Sequence, residues 1–310
     1  MEKLKQHTLL VVGSSNTDMV IQTTHLPRPG ETVLGGTFFM NPGGKGANQA
    51  VTVARLGGHI AFICKTGEDI FGRQARQLFK EEGIDTSYLC TDSQAPSGVA
   101  LITVDEHAEN SIVVASGANA LLSPQDLAGA EEAIEEADWI LMQLEIPLDT
   151  VEFVADLACR KHKKVVLNPA PAQPLPKELL RHVYILTPNE TEAEIISGVK
   201  VTNLSSAMEA ARIIREMGVP WVVITLGSKG ALVYGESVKE IVPAFEVKAI
   251  DMTAAGDVFN GAFVVALSEG KDLVEAARFA CKASALSVTR AGAQSSVPYR
   301  TEVDRFLPID

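Results

Sequence analysis

The chain has 310 residues, of which 46% are hydrophobic and 21% charged, and its formal net charge is −12. This apolar content fills a sizeable core and excludes a disordered chain, while the acidic balance argues against nucleic acid as a partner. The four cysteines (Cys64, Cys90, Cys159, Cys281) form no C-x-x-C pair and the six histidines stand apart, so neither a disulfide framework nor a zinc site is expected.

Met1–His7 lead into Leu9–Val12, too short an apolar run for a signal-peptide core, and no later run reaches the length of a membrane span. A cytoplasmic protein without membrane contact is expected. Leu9–Val12 reads as a buried strand ending at Gly13. Lys45–Leu56 is a helix stopped by Gly57-Gly58, Ile60–Cys64 a strand, and Phe71–Glu82 a helix stopped by Gly83. Ser123-Pro124 has a capping hydroxyl, a first-turn proline and Asp126 three residues on, which predicts a helix start. Trp139–Leu144, Val165–Leu167, Tyr184–Leu186 and Trp221–Thr225 read as strands. Asp149–His162, Thr191–Ser197, Ser206–Met217 and Val258–Leu267 read as helices.

This alternation predicts an α/β fold, a mostly parallel sheet sandwiched by helices, with ligands beyond the carboxyl ends of its strands. Two stretches break the rhythm, about 14–42 and 96–116. Their short strands, Val20–Gln22, Thr32–Phe39, Val99–Val104 and Ser111–Ala115, are expected to pair antiparallel as a small β-sheet lid, or as an edge extension of the main sheet. No linker divides residues 1–310, so one domain is expected.

The strongest chemical signal is Asp251-Met252-Thr253-Ala254-Ala255-Gly256-Asp257, small residues running into a helix. A helix start carries free N–H groups and about half a positive charge. The near-absent side chains of Ala254, Ala255 and Gly256 let an anion approach the backbone. Asp257 would stand beside that anion as proton acceptor for an attacking hydroxyl, the pairing that phosphoryl transfer needs. Capping of the helix dipole is the alternative reading of Asp257.

Five further sites follow predicted strands or open a helix. Asn41-Pro42-Gly43-Gly44-Lys45-Gly46-Ala47-Asn48-Gln49-Ala50 offers close backbone approach and, in Lys45 and Asn48, donors suited to sugar hydroxyls, although such a loop is also an ordinary turn, and it lacks the Walker spacing. Asn16, Thr17 and Asp18 follow the first strand, where Asp18 can accept two hydroxyls or close an Asx turn. Glu145 follows another strand. Asn189 and Glu192, three apart, share one face of a starting helix and suit a hydrated magnesium ion or a helix cap. Thr225-Leu226-Gly227-Ser228-Lys229-Gly230 is a turn able to pass along a nucleotide.

These segments, with Gln143-Leu144-Glu145, Leu167–Ala172 and Gly292–Pro298, resemble the ribokinase members of the pfkB-type carbohydrate kinase family, in the family order from about Leu9 to Tyr299. The resemblance implies ATP-dependent phosphorylation of D-ribose at the 5-hydroxyl, with Asp257 as base and Ala254–Gly256 as anion hole. It implies that Asn16, Thr17, Asp18, Gly44–Asn48 and Glu145 hold the sugar. Asn189, Glu192, the Thr225–Gly230 turn, Gly256 and Cys281 would meet ATP and Mg2+. A monovalent-cation site, usually K+, would be built by Asp251, Thr253, Ser287, Arg290, Gly292 and Ser296. It also implies a homodimer formed through the lids. Met252 and Val258 stand where the familiar string has threonine, and Cys281 where some relatives have histidine. A kinase of deoxyribose, fructose or adenosine, or a non-catalytic sugar-binding protein, are the rival readings. A dehydrogenase is excluded, because the first strand is not followed by G-x-G-x-x-G.

Overall fold

The computed structural model describes residues 8–107 and 109–306, so the segment read for a leader, 1–7, lies outside the described residues. Its strands are β1 (Thr8–Val12), β2 (Asn16–Gln22), β3 (Thr37–Gly43), β4 (His59–Ile63), β5 (Lys65–Gly67), β6 (Cys90–Asp92), β7 (Gly98–Val104) and β8 (Asn110–Ala115), then β9 (Ala137–Met142), β10 (Lys164–Leu167), β11 (Ile185–Leu186), β12 (Trp221–Thr225), β13 (Ala231–Tyr234) and β14 (Lys239–Val242). Its helices are α1 (Lys45–Arg55), α2 (Ile70–Glu81), α3 (Glu131–Glu136), α4 (Leu148–Arg160), α5 (Lys177–His182), α6 (Glu190–Ser197), α7 (Leu204–Glu216), α8 (Ala255–Ser268), α9 (Leu273–Ser287) and α10 (Arg300–Arg305).

The main sheet has eight strands in the order β14-β13-β12-β11-β10-β9-β1-β4. All neighbours from β4 to β12 pair parallel, and near one edge β13 alone runs against the rest, pairing antiparallel with β12 and β14. The cause is visible in β1. Its successive side chains leave on opposite faces, Leu10 and Val12 into one apolar cluster, Leu9 and Val11 into the other. A strand apolar on both faces is stable only when helices cover both. Helices α4, α6 and α7 contribute to the first cluster and α1, α8 and α9 to the second. The mostly parallel helix-covered sheet read from the sequence is therefore present.

Chain beyond β1 does not turn into a helix but continues into a second sheet, order β3-β2-β7-β8. Its outer pairs are antiparallel, yet β2 and β7 at its centre are parallel, which corrects the all-antiparallel expectation. The expected strand Thr32–Phe39 is also displaced, to Thr37–Gly43, because Gly35 and Gly36 sit at φ 101° and 103° and break the extension. The Ser123 cap opens no α-helix. Asp126 does accept from the Ser123 N–H and hydroxyl, but its own N–H goes to the Ser123 carbonyl and not to the hydroxyl, and a 3-10 turn over Asp126–Gly129 follows.

Candidate active site

The site gathers where β1, β9 and β11 end and where α1, α6 and α8 begin. Helix α1 starts at Lys45, behind Gly44 at φ 90°, a left-handed backbone that favours glycine. Gly44, its cap residue, has no side chain to cap this start. Instead the Lys45 N–H and the Ser14 hydroxyl both donate to Glu145 Oε2, at 3.0 and 2.5 Å. Ser14 closes the link through its carbonyl, which accepts from the Ala47 N–H at 2.8 Å. Thus Glu145, from the end of β9, fixes the glycine loop against the first strand.

Helix α8 begins at Ala255, three residues before the expected start, and its first turn is uncapped by any side chain. Ala254, its cap residue, takes φ 59°, which costs a non-glycine residue about 1 kcal/mol. The Ala255 N–H is bonded to the Met252 carbonyl at 3.2 Å, so the open amides of this turn lie further on, from Gly256. Gly256 is exposed and Asp257 is 6% exposed.

The Asp257 carboxylate is held at both oxygens. Asn48 Nδ2 donates to Oδ2 and Gln49 Nε2 to Oδ1, each at 2.9 Å. Burial pushes this acid above the usual aspartate value. Lys45 and the two amides pull it back, without cancelling the burial. Sequence alone predicts an ordinary, weakly basic aspartate; the folded surroundings make it a better base at neutral pH. Burial also pulls on Lys45, but the carboxylates of Asp257, Glu145 and Glu192 outweigh it and hold its ammonium charged.

Asn16 and Asp18 open β2, with Thr17 between them. Asp18 is pushed up to about 6, first by burial and then by the charges of Glu145 and Asp257. No hydrogen-bond donor among the described residues meets it. Asn48 Oδ1 is buried without a partner, whereas Asp18 is part-buried. Two acceptors therefore stand unfilled beside Asp257.

Asn189 and Glu192 form a complete capping box at the start of α6. Asn189 Oδ1 accepts from the Glu192 N–H, and Glu192 accepts from the Asn189 backbone and side-chain N–H groups. The capping alternative is thus real. The carboxylate still keeps lone pairs for water-mediated magnesium, and burial raises Glu192 to about 7, a setting in which a nearby cation favours its ionised form. The 225–230 turn lies alongside, tied by the Thr225 N–H to the Pro188 carbonyl at 2.9 Å. Leu226 and Gly230 are buried, while Gly227, Ser228 and Lys229 are exposed. Cys281 on α9 is buried, and burial pushes its thiol up to about 12. It offers an apolar contact rather than a nucleophile.

The residues expected to bind a monovalent cation fall on two adjoining loops. Asp251 joins them, accepting from Thr253 N–H and hydroxyl with Oδ1 and from the Gly292 N–H with Oδ2. Ser287 and Ser296 are buried close by in sequence, and Arg290 turns its guanidinium to Glu302, leaving only its backbone for the loop. An oxygen-only donor set of this kind fits a large cation. Among the described residues no cluster of three or more histidine, cysteine or acidic side chains stands ready for a metal.

Two residues make contacts in the site that the sequence does not signal. Asn119, beyond the lid, donates to Asn16 Oδ1 and the Ser15 carbonyl and accepts from the Ser15 N–H. Gln49, inside the glycine motif but given no role, holds Asp257. Both acquire their meaning from partners more than a hundred residues away, which no local spacing signals.

The family model of the pfkB family carbohydrate kinases matches residues 6–300. A ribokinase of Haemophilus influenzae is 50% identical, over 97% of this chain and 98% of its own. Among solved structures, a ribokinase from Thermotoga maritima is 42% identical with a TM-score of 0.89, covering 96% of this chain and 98% of that one. A ribokinase from Arabidopsis thaliana complexed with ribose and ATP is 32% identical with a TM-score of 0.90, at the same coverage. With the family model matched over most of the chain and relatives this similar in sequence and fold, the chain belongs to the pfkB family of carbohydrate kinases.

Proposed function

We propose that the chain phosphorylates D-ribose at its 5-hydroxyl with ATP, giving D-ribose 5-phosphate and ADP. The observation that carries this reading is the pair of unfilled acceptors, Asp18 and Asn48 Oδ1, beside the buried Asp257. Sugar hydroxyls are the donors such acceptors lack, and leaving the buried Asn48 Oδ1 empty costs about 1–3 kcal/mol. The high identity to ribokinases supports ribose over other sugars.

The hydroxyl oxygen attacks the terminal phosphorus, the bond to the bridging oxygen breaks to release ADP, and the hydroxyl proton passes to Asp257. In a loose transition state that proton moves late, so a carboxylate suffices as acceptor. Charge building on the transferring group meets the α8 start around Ala254–Gly256 and the Lys45 ammonium. Asn16, Thr17, Asp18, Gly44–Asn48 and Glu145 form the sugar side; Asn189, Thr225–Gly230, Gly256 and Cys281 form the nucleotide side. Asn189 and Glu192 would hold Mg2+, largely through water, and the ion supplies neutralisation of the phosphate charge. Asp251, Thr253, Ser287, Arg290, Gly292 and Ser296 would hold K+, which orders the neighbouring α8 start.

Residues 1–310 act as one catalytic domain bearing the lid. Register aligns Met40, Met19, Leu101 and Val113 across one lid face, with Phe38 and Ile21 two residues on, and most of these are exposed. A face of this kind supports a homodimer joined lid to lid. All four cysteines are unpaired, in keeping with a reducing cytoplasm, and no helix among the described residues is long and apolar enough to cross a membrane.

A coupled assay of ADP release tests the activity, run over ribose, deoxyribose, fructose and adenosine, with and without Mg2+ and K+. Ribose is expected to turn over fastest, and absence of ribose turnover refutes the reading. Asp257→Asn is expected to lower kcat by at least about a hundredfold while ribose still binds; undiminished turnover rules out the base.

A further inference from the structure

We propose that Gln49 is a positioning residue for the reaction: clamped by Gln143, its carboxamide fixes the orientation of the Asp257 carboxylate and keeps it ionised. The proposal rests on the reading of Asp257 as base.

Gln49 is fully buried and contacts neither the sugar-side acceptors nor the nucleotide turn. Its Nε2 donates to Asp257 Oδ1 at 2.9 Å and to Asn168 Oδ1 at 3.1 Å, while its Oε1 accepts from Gln143 Nε2 at 2.6 Å. The carboxylate forces this assignment. Turned over, the amide would press its oxygen against Asp257 and its NH2 against the Gln143 donor. Asn168 is itself anchored, its Nδ2 donating to the Thr187 carbonyl at 3.1 Å. The base thus ends a rigid chain of amides that crosses the sheet edge from β9 to α1.

Asn48 alone could not do this. Its Nδ2 bonds Oδ2, and one bond leaves the carboxylate free to rotate about it. With Gln49 on Oδ1 the plane is set from two sides, and Asp257 keeps a fixed direction toward an incoming hydroxyl. The charged groups facing Asp257 are Lys45 from α1, Asp18 from β2, Glu145 from the end of β9 and Glu192 from α6. None is bonded to Gln49, so its replacement leaves all of them in place.

The test is the pH profile of kcat for Gln49→Met and Gln49→Glu, with Asp257→Asn in parallel. Gln49→Met removes one donor to the ionised carboxylate, so the acid limb should move up by about one pH unit, with ribose KM within about threefold of the parent. Gln49→Glu keeps length and polarity but sets a second carboxyl against the first, so its acid limb should move further up. A merely structural role would lower kcat without moving the limb. An unmoved limb in both variants, with Asp257→Asn inactive, overturns the proposal while the base stands. Turnover surviving in Asp257→Asn overturns the base instead. Should neither Gln49 variant fold, selective 15N-glutamine labelling of the parent reads the same contact. The Gln49 side-chain amide must then titrate with the midpoint of the kcat limb, and a pH-independent signal refutes the link.

Discussion

Replacing Asp18 by asparagine should make the protein more stable and less able to bind its sugar, and the two effects are separable by pH. The carboxyl is raised from 3.8 to about 6, chiefly by burial and then by Glu145 and Asp257. At about 1.4 kcal/mol per unit, keeping it ionised in the folded protein costs about 3 kcal/mol above pH 6. Because the folded value lies above the unfolded one, this cost grows as pH rises from 3.8 and is complete above about 6. Asparagine has the same shape without the charge, so Asp18→Asn should raise Tm by roughly 5 °C at pH 8 for a chain of this size. At pH 4 the gain should fall below about 1 kcal/mol. Ribose binding should weaken at least about tenfold, because the charged acceptor is gone. Thermal scans between pH 4 and 8 with calorimetric ribose titration check both. A Tm gain that is the same at every pH, or a loss at pH 8, refutes the electrostatic argument; unchanged ribose affinity refutes the acceptor role.

Gly261 lies where α8 crosses α1, and a Cβ there would stand 2.6 Å from Thr52 Cβ and 2.9 Å from the Gln49 carbonyl. Gly261→Ala should therefore cost about 1–3 kcal/mol in urea unfolding and lower kcat, since it parts Asp257 from its two amides; an unaltered kcat counts against that coupling. On the lid, Leu101 and Val113 face each other across β7 and β8 at 55% and 65% exposure. Leu101→Lys should convert a dimer to monomer by light scattering, and an unchanged mass argues against lid-to-lid assembly.

Much of this was legible in the residues because it is local. Leu9–Val12 and Trp221–Thr225 are strands in the structure as in the sequence, since short β-branched runs flanked by glycine have few other solutions. The small-residue approach to Asp257 likewise marked a helix start. What stayed hidden depends on distance along the chain. The parallel pairing of β2 with β7 joins Asn16 to Gly98. The contact of Gln49 with Asp257 spans 208 positions. The raised pKa of Asp257 comes from burial that no single segment provides. At Ser123 only half of the capping pattern forms and no α-helix follows, because the Asp126 N–H goes to the Ser123 carbonyl and not to its hydroxyl.

Strand β2 serves two masters: it is a central strand of the second sheet, and its first residues, Asn16 and Asp18, are the acceptors proposed for the sugar. Asn119, where the chain returns from the lid, grips Asn16 by its side chain. On the proposed reading, grasping the substrate and shutting the cover would be one motion rather than two. A sugar that draws on these side chains would pull the whole flap with it, and a neighbour leaning on the flap would change how tightly the sugar is held.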